Sequence, residues 1–316
     1  MKKYLINLKV ASDITSFPDS QKIFGWLIYQ IKKYESEENI TKLVNNIYEK
    51  KIKCMISNVL PKGFIPMPKE YVIDKFGDKS KEIYEKIKKI DFIKKEDMKK
   101  ILNNEVELKN FKDYLRQKQS YIQKFRLENQ FHNLAGLENK AYTVPIVKII
   151  NESTEEIVTD FIIMIKTDSD MIIKWLENIK NAQENEGNDE EVYLGPKGSQ
   201  GYNRFIRGKV EIKEEKNSEK ANFYLNVGML LPNSINYKKS YIDLHISDRK
   251  AFEITEEAKK VIGFINVGSV IYSEGENFNI GKSIQNKYNI LYKNAIVFGN
   301  SYLEALDSEK FGGENE

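Results

Sequence analysis

The 316-residue chain contains one cysteine, Cys54, and two histidines, His132 and His245. A single thiol excludes an internal disulfide framework and any cysteine-rich zinc site, and a cytoplasmic setting is expected. The two histidines are far apart, with no spacing that favours a metal site. Cys54 lies in an apolar, strand-like setting, where a lone thiol serves as core filling more often than as nucleophile. No apolar run approaches the roughly 18–20 residues of a membrane span, and mean hydropathy is −0.55. The opening MKKYLINLKVAS is basic but has no continuous apolar core or small-residue cleavage site. It reads as a strand, not a signal peptide. No internal repeat is visible.

Nucleotide-loop spacings are missing too. GENFNIGKS puts five residues, where a P-loop has four, between Gly275 and Gly281-Lys282-Ser283. A turn between two strands is expected there. GPKGSQG lacks the Lys-Ser/Thr ending and the dinucleotide-binding spacing. Nothing implies a cofactor or a metal.

Charge is what the chain has in quantity. Lys and Arg number 50 against 47 Asp and Glu, a net of +3, but the halves differ. Residues 1–150 carry 30 against 19, or +11, and residues 151–316 carry 20 against 28, or −8. A basic half suits a polyanion-binding surface. Charge drift along Lys/Glu-rich helices would leave the same imbalance.

Periodicity supplies the elements. Tyr4, Ile6, Leu8 and Val10 alternate as a strand does. Ile23, Trp26, Leu27 and Ile31 predict a helix over 20–34, capped by Asp19 or Ser20. A second helix follows Ser36. KCMISNVLPKGFIPMPKEY reads as short extended pieces broken by Pro61, Pro66 and Pro68. The Lys/Glu/Ile-rich stretch near 79–118 reads as a helical insertion. Strands return at AYTVPIVKII and at EEIVTDFIIMIK, whose apolar run suits a strand buried on both faces. A helix capped near Ser169 and an acidic linker lead to YLGPKGSQGYNRF. After it, NRFIRGKVEIK and ANFYLNVGMLL alternate like paired strands, with Phe223, Leu225, Val227, Met229 and Leu231 on one face. The order predicts an α+β protein, and ferredoxin-like βαββαβ modules fit it. The expected units are 1–210 with the glycine loop at 194–205, a β-rich module at 211–305, and a flexible tail at 306–316.

Two segments carry chemistry. SYIQKFRLENQFHNLAGLENKAY interleaves Lys124, Arg126 and Lys140 with Tyr121, Phe125, Phe131, His132, Asn133 and Tyr142. Cations hold phosphates while aromatic and amide groups engage unstacked bases, at about 1–3 kcal/mol per stack. The glycine loop sets Lys197, Tyr202, Asn203, Arg204 and Arg207 beside glycines that let backbone N–H groups reach phosphates. Together they point to RNA.

Four motifs occur in a telling order. SFPDSQKIFGWLIYQI follows the first strand, PKGFIPMPK follows the first helices, YLGPKGSQGYNRF precedes a strand, and NVGSVIYSEG lies near the C-terminus. The chain thereby resembles the RAMP subunits of CRISPR effector complexes, and most of all the fourth-subunit family of the type III-A Csm complex. The resemblance spans most of the chain. Asp19-Ser20-Gln21 stands where that family has Ser-Asp, and Asn203 replaces the last glycine of the loop, a position asparagine tolerates at positive φ.

The resemblance implies a ferredoxin-like (RRM-like) RAMP fold, with two modules and a helical insertion. It implies a non-catalytic subunit whose partners are CRISPR RNA, a large polymerase-like subunit and a backbone RAMP subunit. By position, Gly195, Lys197, Gly198, Ser199, Gly201, Tyr202, Asn203 and Arg204 would line the 5′ handle of the guide. Ser20 and Lys22 would meet a phosphate at a helix start. Arg126, His132 and Asn133 would belong to a projecting thumb. The alternative is a metal-independent pre-CRISPR-RNA processing endoribonuclease of the same fold, with His132 and Tyr121 or Tyr142 as acid and base. A capping subunit of a type III-B or type I complex predicts the same surface with other partners.

Overall fold

The computed structural model describes residues 1–76, 80–102, 108, 111–128, 138–186, 190–213, 221–247, 262–285 and 295–306. Its centre is an antiparallel sheet laid around β1 (Lys2–Val10). The neighbours of β1 are β8 (Asp160–Thr167) and β10 (Arg204–Lys213); β2 (Cys54–Ile56) and β9 (Glu190–Tyr193) form the outer strands. The order is β2-β8-β1-β10-β9, and β3 (Leu60–Pro61) also pairs with β8. Helix α1 (Ser20–Lys32) joins β1 towards β2, with α2 (Glu37–Tyr48) after it. Helix α6 (Asp170–Glu186) joins β8 to the β9–β10 pair.

Helix starts follow the local chemistry. The Asp19 carboxylate accepts the Lys22 N–H at 2.9 Å, and the Ser36 hydroxyl accepts the Asn39 N–H at 3.3 Å. Ser169 Oγ accepts the Ile172 N–H at 3.4 Å and opens α6.

The sheet is covered on both faces. Tyr4, Ile6 and Leu8 of β1, with Ile163 and Ile165 of β8, pack under α1, α2 and α6 through Ile23, Leu27, Ile31, Leu43, Ile47, Ile172 and Leu176. Leu5, Ile162 and Met164 face the other way, into a second core. That explains the unbroken apolar run of β8: alternate residues serve opposite cores. Cys54 is buried in the first core, and burial pushes its thiol up to about 12. It is core filling, as its setting suggested.

The second core lies under an insertion between β3 and β8. There β4 (Phe64–Pro66), β5 (Phe92–Lys94), β6 (Tyr114–Glu128) and β7 (Glu138–Asn151) form a sheet in that order. Helices α3 (Lys69–Phe76), α4 (Lys81–Lys89) and α5 (Lys95–Leu102) accompany it. Two expectations are corrected here. Residues 79–118 are not wholly helical, because β5 and the start of β6 lie within them; Ile93 and Leu115 are fully buried in the pairing. The proline-rich segment ends in a helix, α3, which starts directly after Pro68, where a proline costs least.

The described residues of 221–306 add three small antiparallel sheets. They are β14 (Val270–Tyr272), β11 (Phe223–Asn226) and β17 (Leu303–Leu306) in the order β14-β11-β17, then β12 (Leu244–Ser247) with β13 (Ile262–Ile265), and β15 (Ile284–Gln285) with β16 (Ile296–Val297). The expected pairing of NRFIRGKVEIK with ANFYLNVGMLL does not occur among the described residues. β10 pairs with β1 and β9, while β11 pairs with β14 and β17. Alternation marks a strand but does not name its partner. The stretch read as a turn at 275–281 contains a four-residue helix, α7 (Asn277–Ile280). Among the described residues, no helix is long and apolar enough to cross a membrane.

Candidate nucleic-acid interface

Residues 194–203 join the antiparallel neighbours β9 and β10 across the Tyr193–Arg204 pair. Four residues of this short stretch have positive φ: Gly195 at 143°, Lys197 at 61°, Gly201 at 82° and Asn203 at 56°. A single 3₁₀ turn, Gly198–Gln200, lies between them. Gly195 has a second reason to be glycine, since a Cβ there would come 3.1 Å from Asn203 Nδ2. The N–H groups of Gly195, Lys197, Gly198 and Ser199 make no hydrogen bond among the described residues. Successive backbone N–H groups beside an αL residue form an anion-binding nest. Glycine and serine side chains leave that nest open.

Asn203 holds the loop from inside. It is fully buried, and its Oδ1 accepts the Thr15 N–H at 2.8 Å. Its Nδ2 donates to Thr15 Oγ1 at 2.8 Å and to the Pro196 carbonyl. Its backbone N–H reaches the Asp13 carbonyl at 3.0 Å, and its own carbonyl accepts from Leu194 N–H at 3.0 Å. The side chain is therefore a scaffold and not an RNA contact.

The loop packs on the long β6/β7 hairpin, which pairs without interruption from Leu115–Asn151 to Glu128–Glu138. The Tyr202 ring is buried with Val144 and Ile146, and Tyr142 packs against them. Two ammonium–ring contacts lock the pieces together. Lys124 Nζ lies 4.5 Å from the Tyr202 ring centre, and Lys197 Nζ lies 5.7 Å from that of Tyr142. The nearness of the Tyr202 side chain is the main reason the Lys124 ammonium is raised above its ordinary value. The turn after β1 completes the junction, with Val147 N–H donating to the Ile14 carbonyl at 2.7 Å.

Arg204 is half-exposed at the rim, with Nη1 2.9 Å from Glu191 Oε1 and Nη2 3.0 Å from the Ala11 carbonyl. Tyr121 stands exposed on β6. Lys124, Lys197, Arg204 and the nest therefore share one surface built from three segments distant in sequence. Arg126 lies opposite Lys140 in the hairpin register; its side chain, with His132 and Asn133, lies outside the described residues. Gly198, Ser199 and Gly201 lie on the loop's accessible side.

The helix-start pair does not join this surface in the expected way. Ser20 is fully buried, its Oγ accepting the Met229 N–H at 3.0 Å and its N–H donating to Asn58 Oδ1 at 2.8 Å. Lys22 is half-buried with Nζ 3.5 Å from Asp19. The Asp19 carboxylate already supplies negative charge to this helix start, and it would repel a phosphate. Tyr202, expected among the residues lining the handle, is a buried platform, and Arg207 is buried against Glu190 at 2.7 Å. Thr15 and Glu191 escaped the sequence reading. Neither has a local signal, because each acts through a residue across the fold.

No protein-family model matches the sequence, and no curated protein matches it. Solved structures do. A chain in the crystal structure of a Csm3–Csm4 subcomplex in the type III-A CRISPR-Cas interference complex is similar over 97% of this chain and 100% of that one, with 17% identity and a TM-score of 0.58. A chain in the crystal structure of a Csm1–Csm4 cassette in complex with cA4 matches over 96% and 98%, with 11% identity and a TM-score of 0.56. A Csm1–Csm4 cassette in complex with pppApA gives 97% and 98%, 11% and 0.55. Csm4 is the component these complexes share. At such identities the likeness is one of fold, and this chain has that fold over nearly its whole length.

Proposed function

We propose that this chain is a non-catalytic RNA-binding subunit of a cytoplasmic type III-A CRISPR effector. It holds the 5′ handle of the guide RNA and docks a large polymerase-like subunit and a backbone RAMP subunit. The carrying observation is the junction of the glycine loop with the β6/β7 hairpin. Four N–H groups without partners among the described residues lie there beside Lys124, Lys197 and Arg204. The fold shared with chains of Csm3–Csm4 and Csm1–Csm4 complexes supports the choice of assembly and of both protein partners.

The finer fold reading follows the same line. The order β1-α1-β2-β8-α6-β10, with the sheet arranged β10-β1-β8-β2, supports a ferredoxin-like first module that carries its insertion between β2 and β8. Residues 211–305 are read as a second such module, on the strength of the β14-β11-β17 sheet.

The chemistry is holding, not cutting. Backbone N–H groups donate to any phosphate, so the nest fixes the path of the strand without reading its sequence. The lysines add an ionic contribution that falls with salt. Arg126, His132 and Asn133 complete the reading as thumb residues that meet the guide beyond the handle.

Fluorescence anisotropy with a labelled handle RNA at several salt concentrations tests this. Lys197→Ala with Arg204→Ala should weaken binding at least tenfold and flatten its salt dependence. Unchanged affinity would remove the loop from the site. Cleavage of repeat RNA that disappears in His132→Ala would overturn the non-catalytic reading in favour of the endoribonuclease.

A further inference from the structure

Gly281-Lys282-Ser283 misses the P-loop spacing, yet the fold gathers polar groups around it. Continued one residue back, the antiparallel Ile284–Val297 pairing brings Ser283 opposite Phe298. A Cβ on Gly281 would lie 2.8 Å from the Gly299 carbonyl and 3.2 Å from Asn300 Cα, so only glycine lets the two segments run this close. Phe298 stacks on Phe24 of α1, with 4.3 Å between ring centres. Gln21 stands one turn before Phe24 on the same face of α1. The end of α2 closes the junction, where Lys50 Nζ donates to the Asn279 carbonyl of α7 at 3.3 Å.

Two observations point to a ligand here. The first is charge. Burial, and then the neighbouring Lys282 ammonium, hold Lys50 below its ordinary value. Neither lysine has an ion-pair partner among the described residues. The carboxylates nearest to them in the chain are engaged elsewhere, Glu49 with Lys51 at 2.5 Å and Glu276 with Lys53 at 3.9 Å. Even the Asn279 carbonyl is shared, since Asn233 Nδ2 donates to it at 3.0 Å. The second observation is hydrogen bonding. Gln21, Ser283 and Asn300 are each 6% exposed. Gln21 Oε1 and Nε2, Ser283 Oγ and Asn300 Oδ1 have no hydrogen-bond partner among the described residues. Buried polar groups are nearly always paired, with protein or with something bound.

We propose that the junction of α1, the end of α2 and the α7–β15 turn binds a phosphate group, held by Lys50 and Lys282 and by hydrogen bonds from Ser283 and the Gln21 and Asn300 amides. A phosphate brings negative charge between two cations, and lysines hold it as point charges. Its oxygens accept from hydroxyl and amide donors alike. A water molecule would satisfy the hydrogen-bonding groups but leave the two ammonium groups opposed. None of these residues belongs to the glycine-loop interface, and the proposal does not rest on the RNA reading. The phosphate is either a free anion or a group carried on an RNA strand.

Lysine acylation of the full chain, read residue by residue by mass spectrometry at constant ionic strength, tests the site locally. Inorganic phosphate should slow modification of Lys50 saturably, by about threefold or more, because an adjacent anion raises an ammonium's pKa and only the free amine reacts. Lys282→Met should remove that protection. Protection by inorganic phosphate supports a free anion. Protection only by a short unstructured RNA, lost in Lys282→Met, supports a phosphate carried on a strand. The proposal falls if chloride at the same ionic strength protects Lys50 equally, or if neither phosphate nor RNA changes its rate. It falls too if protection persists in Lys282→Met. That variant should melt no lower than the parent, since it removes a like charge and keeps the chain length. Should it not fold, Ser283→Ala carries the same test and should weaken the protection.

Discussion

Asn203 and Thr15, 188 positions apart, exchange two hydrogen bonds of 2.8 Å each, and so fasten the glycine loop to the turn after the first strand. The pair is buried. It explains why an asparagine can stand at an αL position where glycine would be the default choice.

Asn203→Ala should be among the costlier substitutions in the loop. It leaves the Thr15 N–H without its acceptor and forces a Cβ residue without local hydrogen bonding into αL. The expected loss is roughly 2–4 kcal/mol, read from urea midpoints. Asn203→Gly keeps the backbone freedom and should cost less than alanine. A larger loss for glycine than for alanine would contradict the αL argument.

Lys124→Ala removes a cation from the hairpin side of the interface while leaving the glycine loop intact. Handle affinity should fall, and the slope of log affinity against log salt should shrink by about 0.7, one single-strand phosphate contact. A slope equal to the parent's would detach the hairpin from the RNA surface.

Glu304 connects pH to stability. Burial alone would raise its carboxyl pKa, but Lys3 and Lys95 more than offset this and hold it below the ordinary 4.5. A depressed carboxyl stabilises the fold above its unfolded pKa, and that contribution fades as pH falls through the folded value. Glu304→Gln should therefore lower the melting temperature at neutral pH, and the gap to the parent should narrow as pH drops from about 7 to about 3. A gap independent of pH would assign the effect to packing.

Gly228 admits no side chain. A Cβ would lie 2.6 Å from the Ile56 carbonyl and 2.7 Å from Ser301 Oγ, with Ser20 Oγ 3.3 Å away. Gly228→Ala should destabilise by about 1–3 kcal/mol, because one neighbour is backbone and cannot swing aside. An unchanged thermal midpoint would mean that this junction between α1, β2 and the C-terminal region yields.

Cys54 should resist alkylation at pH 8 in the folded chain and react on unfolding, since burial holds its thiol up to about 12. Rapid labelling of native protein would show that β2, an outer strand of the sheet, opens readily.

Some of this was legible in one dimension. Tyr4, Ile6 and Leu8 announced their strand, Asp19 and Ser36 their helix starts, and the two-faced apolar run of β8 its place inside the sheet. Each is a local consequence of period and capping, which neighbouring residues determine alone. The glycine loop was legible as a backbone-exposing segment for the same reason, since positive φ selects its residue types.

The partners were not legible. That β10 lies against β1, that Ser20 and Asn203 turn inward, and that Tyr202 is a platform under Lys124 are all long-range facts. Alternation names a face and polarity names a chemistry; neither says which distant segment will arrive to cover the one or satisfy the other. The sequence by itself determined most of the elements and the basic, aromatic composition of two segments. Only the tertiary structure decided that those segments form one surface, and that Lys50 and Lys282 meet, because strand register and helix packing bring together residues that the chain keeps far apart.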